Sequence, residues 1–74
     1  MYILSQNKKT LGKYDAITIS KNFGGKKEEK YFIVGIKNVM NETIGKYPTR
    51  EQADYEIERI YNAIKNGEKV YAVK

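Results

Sequence analysis

The rhythm of apolar and polar residues changes once along this chain. Up to about residue 47 the apolar positions come in short runs or alternate with polar ones, which is the period of two expected of strands. The run "YILSQ" at 2–6 predicts a strand ending near Gln6 or Asn7, and "NKKTLGKYD" after it reads as a turn region. In "AITISKNF", Ile17, Ile19 and Lys21 fall on one side and Ala16, Thr18 and Ser20 on the other, a half-buried strand. The strongest β signal is "KYFIVGIKNV", with Phe32, Val34 and Ile36 facing one way. Gly35 inside it marks a bulge or a close approach by another group. "ETIGKY" predicts a fourth short strand.

The period then lengthens. "PTREQADYEIERIYNAIKNG" is an amphipathic helix, with Ala53, Ile57, Ile60 and Ile64 as a narrow apolar stripe at spacings of four and three. Thr49 suits the N-cap, and Gln52 three residues on completes a capping box. Asn66 and Gly67 supply the stop. "KVYAV" predicts a final strand, with Val70 and Ala72 opposite Tyr71 and Val73.

The fold class that follows is α+β: one domain spanning residues 1–74, with a small antiparallel sheet and one helix. A four-stranded meander joined by short polar turns is followed by the helix, packed on one sheet face to bury its stripe. The C-terminal strand comes last, at a sheet edge or paired with another subunit.

One stretch could change this picture. "KNFGGKKEEKYF" at 21–32 sets two glycines among lysines, as phosphate-cradling loops do. Such loops work by aiming converging amides at an anion, at a helix N-terminus. Here a strand precedes and a strand follows. A hairpin tip is the better reading, with Gly24 and Gly25 at the turn, and Glu28 and Glu29 offset two of the lysines.

Composition narrows the chemistry. The 74 residues include no cysteine and no histidine. Disulfides are excluded, zinc sites lose their usual ligands, and no nucleophile–base pair of the Cys/His kind can form. Ser5 and Ser20 sit in no elbow motif. The carboxylates Glu51, Asp54, Glu56 and Glu58 crowd the helix, where their spacing turns most of them to solvent and into pairs such as Arg50–Asp54. No enzyme, catalytic residue, metal or cofactor is expected. A chain this short has a thin core, and self-association is the natural supplement, so a homo-oligomer is expected. No apolar run approaches a membrane span and no signal peptide is seen; a cytoplasmic protein is expected.

The net charge of +5 lies in residues 1–47, while residues 48–74 balance. That favours anionic partners, though it serves solubility equally. Seven tyrosines suit either a binding surface or the border of a thin core, and both readings stay open. Three candidate binding positions emerge. At the helix start, Thr49 and Arg50 meet free amides and the positive helix end, with Lys46 and Tyr47 arriving from the strand before. On the outer helix face, Tyr55 and Arg59 stand four apart, near enough for guanidinium to stack on phenol. At the end of the first strand, Ser5 and Gln6 could bind a hydroxyl or a base edge. Arg50 and Arg59 are the only arginines, and planar guanidinium favours phosphate.

Two stretches carry a resemblance. "YILSQNKKTLGKYDAITI" resembles the opening of many small phage and prophage proteins, which begin with an I-x-S-Q strand, a turn and a second strand. "IGKYPTREQADYEIERIYNAI" is similar to their second half, with a strand ending in G-x-Y and a capped T-x-E helix start. Some of that broad group are anti-defence sponges of the anti-Thoeris type. The resemblance implies a sheet-plus-helix oligomer that sequesters ADP-ribose-type signals made by bacterial TIR proteins, such as cyclic ADP-ribose variants or histidine-linked ADP-ribose. If phage-encoded, it would act in the host cytosol. It implies no particular pocket residues. The alternatives are a small basic nucleic-acid binder, on the charge of the sheet half and its tyrosines, and a protein-binding inhibitor or adaptor offering a strand edge or helix face.

Overall fold

The computed structural model describes residues 1–22 and 30–74. Within them the chain forms β1 (Tyr2–Leu4), β2 (Leu11–Gly12), β3 (Ala16–Asn22), β4 (Lys30–Lys37), β5 (Met40–Tyr47), α1 (Arg50–Lys65) and β6 (Val70–Ala72). The architecture is α+β, as the two periods predict. The expected hairpin tip at Gly24 and Gly25 lies outside the described residues.

The meander has three strands rather than four. β3, β4 and β5 pair antiparallel in that order, with Ile19 opposite Ile33 and Tyr31 opposite Tyr47. β1 has left that sheet. It pairs antiparallel with β2 and parallel with β6, giving a second sheet in the order β2-β1-β6. The cause is local chemistry at residues 5–10, which turn the chain back before it can reach β3. The Ser5 amide donates to the Thr10 carbonyl at 2.8 Å, and the Thr10 amide donates to Ser5 Oγ at 3.1 Å. β6 then takes the sheet edge, one of the two positions expected of it.

Between Lys37 and Met40 a two-residue turn joins β4 to β5, with Asn38 at φ 56°, a left-handed value that Asn tolerates better than most residues. Its amide donates to Asp15 Oδ2 at 3.1 Å. Farther along, Ile33 faces Gly45 while Val34 faces Thr43, so Ile44 is an extra residue in β5. This bulge resets the alternation of side chains. Ile44 and Tyr47, three apart, both reach the interior as a result.

α1 begins where Thr49 accepts a hydrogen bond from the Gln52 amide at 3.2 Å, which satisfies one of the unpaired donors of the first turn. It ends in a Schellman motif. Gly67 stands at φ 72°, its amide donates to the Ile64 carbonyl at 3.0 Å, and the Glu68 amide donates to Ala63 at 3.0 Å. The buried stripe differs from the one expected. Ala53, Glu56, Ile60 and Ala63 are buried and Ile57 is half-buried, whereas Ile64 is 56% exposed. The helix is rolled towards β5, so a carboxylate occupies a place in the interior.

The core gathers Ile3, Ile33, Ile44, Tyr47, Ala53, Ile60 and Val73 between α1 and the two sheets. α1 covers the face of the meander that carries Ile33 and Gly35; Phe32, Val34 and Ile36 share the opposite face, only partly buried. Among the described residues no helix is long and apolar enough to cross a membrane.

Gly35 is the close approach that its position in a strand suggested. The Tyr14 ring lies against it, and a Cβ built there would stand 2.5 Å from Tyr14 Cδ1. Gly35→Ala is therefore expected to cost about 1–3 kcal/mol as overpacking. Urea unfolding checks this, and in a Tyr14→Ala background the added cost should vanish.

Candidate functional site

The two sheets are stitched together by a side chain. The Gln6 amide group mimics a strand: its Oε1 accepts from the Lys46 amide at 2.8 Å and its Nε2 donates to the Lys46 carbonyl at 3.3 Å. The same Nε2 donates to the main-chain oxygen of Lys74 at 3.2 Å. The Gln6 backbone amide meets the Ile44 carbonyl at 2.8 Å. These contacts pull the end of β5 and the residues after β6 to one spot.

Beneath that spot lies Glu56, fully buried on the inner face of α1. Its Oε1 accepts from Arg59 Nη1 at 2.7 Å. Its Oε2 accepts from the Tyr71 hydroxyl at 2.6 Å and from the Lys74 amide at 3.0 Å. A carboxylate taken out of water is tolerable only with such partners. Among the described residues no buried side-chain polar atom lacks one.

The charge of Glu56 marks its neighbours. Burial, then the hydrogen bond to Glu56, raises the Tyr71 hydroxyl well above the ordinary tyrosine value. Burial, then the Glu56 charge, pushes Tyr47 up to about 12. The Arg59 guanidinium, hydrogen-bonded to Glu56, is held still more firmly protonated. Tyr47 donates to the Lys74 main-chain oxygen at 3.2 Å.

Above this network opens a cleft of about 340 Å³, lined by Gln6, Lys46, Tyr47, Tyr55, Arg59 and Lys74, with Pro48 and Gln52 at its rim. Five of the eight residues singled out from sequence thus come together: Gln6, Lys46, Tyr47, Tyr55 and Arg59. Tyr55 is 58% exposed and offers a ring. Arg59 is half exposed; one N–H is committed to Glu56, and its guanidinium carries further donors. Arg59 turns to Glu56 rather than stacking on Tyr55.

The other three stand apart. Ser5 is buried, donating to Asn7 Oδ1 at 2.7 Å and accepting from the Thr10 amide. It lines a neighbouring cavity, of about 180 Å³, with Gln6 and Lys46. Thr49 caps the helix. Arg50 lies on the opposite flank of α1, 3.8 Å from Asp54 in the expected pair.

Sequence reasoning missed Glu56, Tyr71 and Lys74. It grouped Glu56 with the solvent-facing carboxylates, and burial is the correction. The available signal was the spacing of 53, 56, 60 and 63, which is as helical as the isoleucine stripe. Among the described residues no cluster of His, Cys, Asp or Glu could hold a metal ion. Comparison with protein-family models, with curated proteins and with solved structures returns no match for this chain.

Two outcomes follow. Glu56→Ala leaves the Tyr71 hydroxyl and the Lys74 amide without their acceptor, at about 1–3 kcal/mol each; denaturant midpoints should fall accordingly, and Glu56→Gln should recover part of the loss. For pH, a tyrosine whose folded value is raised favours the folded state while neutral. That contribution is whole below the unfolded value near 10 and is lost as pH rises through about 12 for Tyr47. Alkaline unfolding should therefore steepen over that window, and Tyr47→Phe should flatten it.

Proposed function

We propose that this chain is a non-catalytic binder of a small phosphorylated aromatic ligand of the nucleotide class, held in the cleft between the end of β5 and the first half of α1. One observation carries the reading. An arginine, two lysines and an exposed tyrosine ring, drawn from β5, α1 and the C-terminal residue, line one opening.

The chemistry suits such a guest. A nucleotide presents a flat base, hydroxyls and anionic phosphate. Tyr55 supplies a face for the base, Arg59 a planar donor for phosphate, and Lys74 further positive charge. Gln52 supplies a polar group for hydroxyls. Arg59 is already oriented by Glu56, which lowers the cost of ordering it on binding. The buried carboxylate also makes the site selective. It neutralises part of the Arg59 charge, so a weakly charged anion gains little.

The cleft is at the small end of ligand pockets, which run from roughly 300 to 1,000 Å³. It fits one nucleoside phosphate with the remainder of a larger ligand outside. This agrees with sequestration of an ADP-ribose-type signal, the activity implied by the resemblance to phage anti-defence sponges. Among the described residues no serine, cysteine or histidine lines the cleft, and the ligand would be held and not cleaved.

A second reading rests on the uncovered sheet face. There Lys46 Nζ stands 5.9 Å from the centre of the Phe32 ring, a ring-and-cation pair of the kind that single-stranded nucleic acid stacks upon.

Isothermal titration with AMP, ADP and ADP-ribose tests the first reading. Binding is expected, and Tyr55→Ala should weaken it about tenfold or more, since base stacking contributes about 1–3 kcal/mol. No heat from any of the three with folded protein overturns it. If instead a short single-stranded RNA binds with a steep salt dependence and Tyr55→Ala is without effect, the second reading replaces it.

A further inference from the structure

We infer that the chain associates with a second copy of itself through the outer edge of β3, on the side of α1 away from the cleft. Among the described residues no strand pairs with that edge. It is the longest open edge described. The β5 edge is bonded by Gln6, β6 has three residues and β2 has two. Natural edges are blunted by charge, proline or bulges. The stretch "AITIS" at 16–20 contains neither charge nor proline, and its pairing with β4 runs without a bulge.

Beside that edge lies a largely apolar groove of about 260 Å³ between β3 and α1, whose lining includes Tyr14, Asp15, Ile17, Ile57, Tyr61 and Ile64. Tyr61 is 61% exposed and Ile64 56%. These are large apolar groups left in water next to unpaired backbone, and one occupant could cover both.

A second copy fits by symmetry. A two-fold axis perpendicular to the sheet, through the middle of β3, sets β3 antiparallel to its copy. It keeps Ile17 and Ile19 on the helix-covered face, so the two meanders become one continuous sheet. The contact is isologous and closes as a dimer. The two β4 strands would then lie three strand spacings apart, about 14 Å. α1 lies chiefly over β4, so the helices stand a few ångströms beyond ordinary packing distance. Tyr61 and Ile64 from each copy are long enough to fill that gap.

The charges permit this contact. On this flank Arg50 and Asp54, 3.8 Å apart, lie near the start of α1 and Lys65 in its last turn. Antiparallel helices bring each Asp54, shared with Arg50, towards the Lys65 of the other copy.

Sedimentation equilibrium over a range of concentrations tests the dimer, with amide hydrogen exchange on β3 in parallel. The apparent mass should rise from the 8.6 kDa of one chain towards twice that value. The β3 amides facing away from β4 should become protected over the same range. Ile64→Lys and Tyr61→Glu alter exposed side chains; each should raise the dissociation constant at least tenfold while leaving the unfolding of dilute protein unchanged. A constant monomer mass overturns the inference. So does a dimer whose formation neither protects β3 nor responds to the two substitutions.

Discussion

The buried carboxylate of Glu56 is the constraint around which the rest is arranged. A charge in that position must be met from several directions at once, and the partners come from different elements. Arg59 comes from the next turn of α1, the Tyr71 hydroxyl from β6, and the Lys74 amide from the residue beyond Val73. A hydrophobic residue at 56 would pack against any apolar surface. The carboxylate accepts only one docking of β6 against the helix. Its contribution is to specificity of arrangement more than to net stability, since desolvation offsets much of the attraction.

That arrangement divides the helix into two flanks. The flank towards β5 carries Gln52, Tyr55 and Arg59, and its ends are polar and cationic. The flank towards β3 carries an apolar strip of Ile57, Tyr61 and Ile64, with Arg50, Asp54 and Lys65 beside it. One helix thus offers two surfaces of unlike chemistry, separated by the buried stripe that fixes its roll. Moving the stripe by a single residue, from Ile64 to Ala63, is enough to expose an isoleucine on one side and bury a glutamate on the other.

Much of the fold was legible in the sequence because its signals are local. Thr49, Gln52 and Gly67 mark the helix ends by chemistry within a few residues, and alternation in 16–20 assigns the faces of β3. The bulge at Ile44, the departure of β1 from the meander and the burial of Glu56 were not legible. Each depends on partners distant in the chain. A carboxylate among other carboxylates reads as solvated until Tyr71 and Lys74 are seen beside it. In the same way, Gln6 looked available to a ligand, yet its amide is largely spent on Lys46 and Lys74. The cleft was partly legible, since Lys46, Tyr47, Tyr55 and Arg59 were chosen for their chemistry and prove to be neighbours. Arg50 was chosen on the same grounds and is carried to the other flank by the helical repeat.

The parallel pairing of β1 with β6 has a consequence for the order of assembly. β1 can fold back onto β2 at once, but Gln6 and Lys74 are 68 residues apart, so the other edge of β1 stays unpaired until β6 has formed. The meander and helix can condense earlier, because their contacts are short-range and loop closure there is cheap. During that interval the seam beside Ile44 stands open, and the β1–β2 hairpin waits undocked beside it.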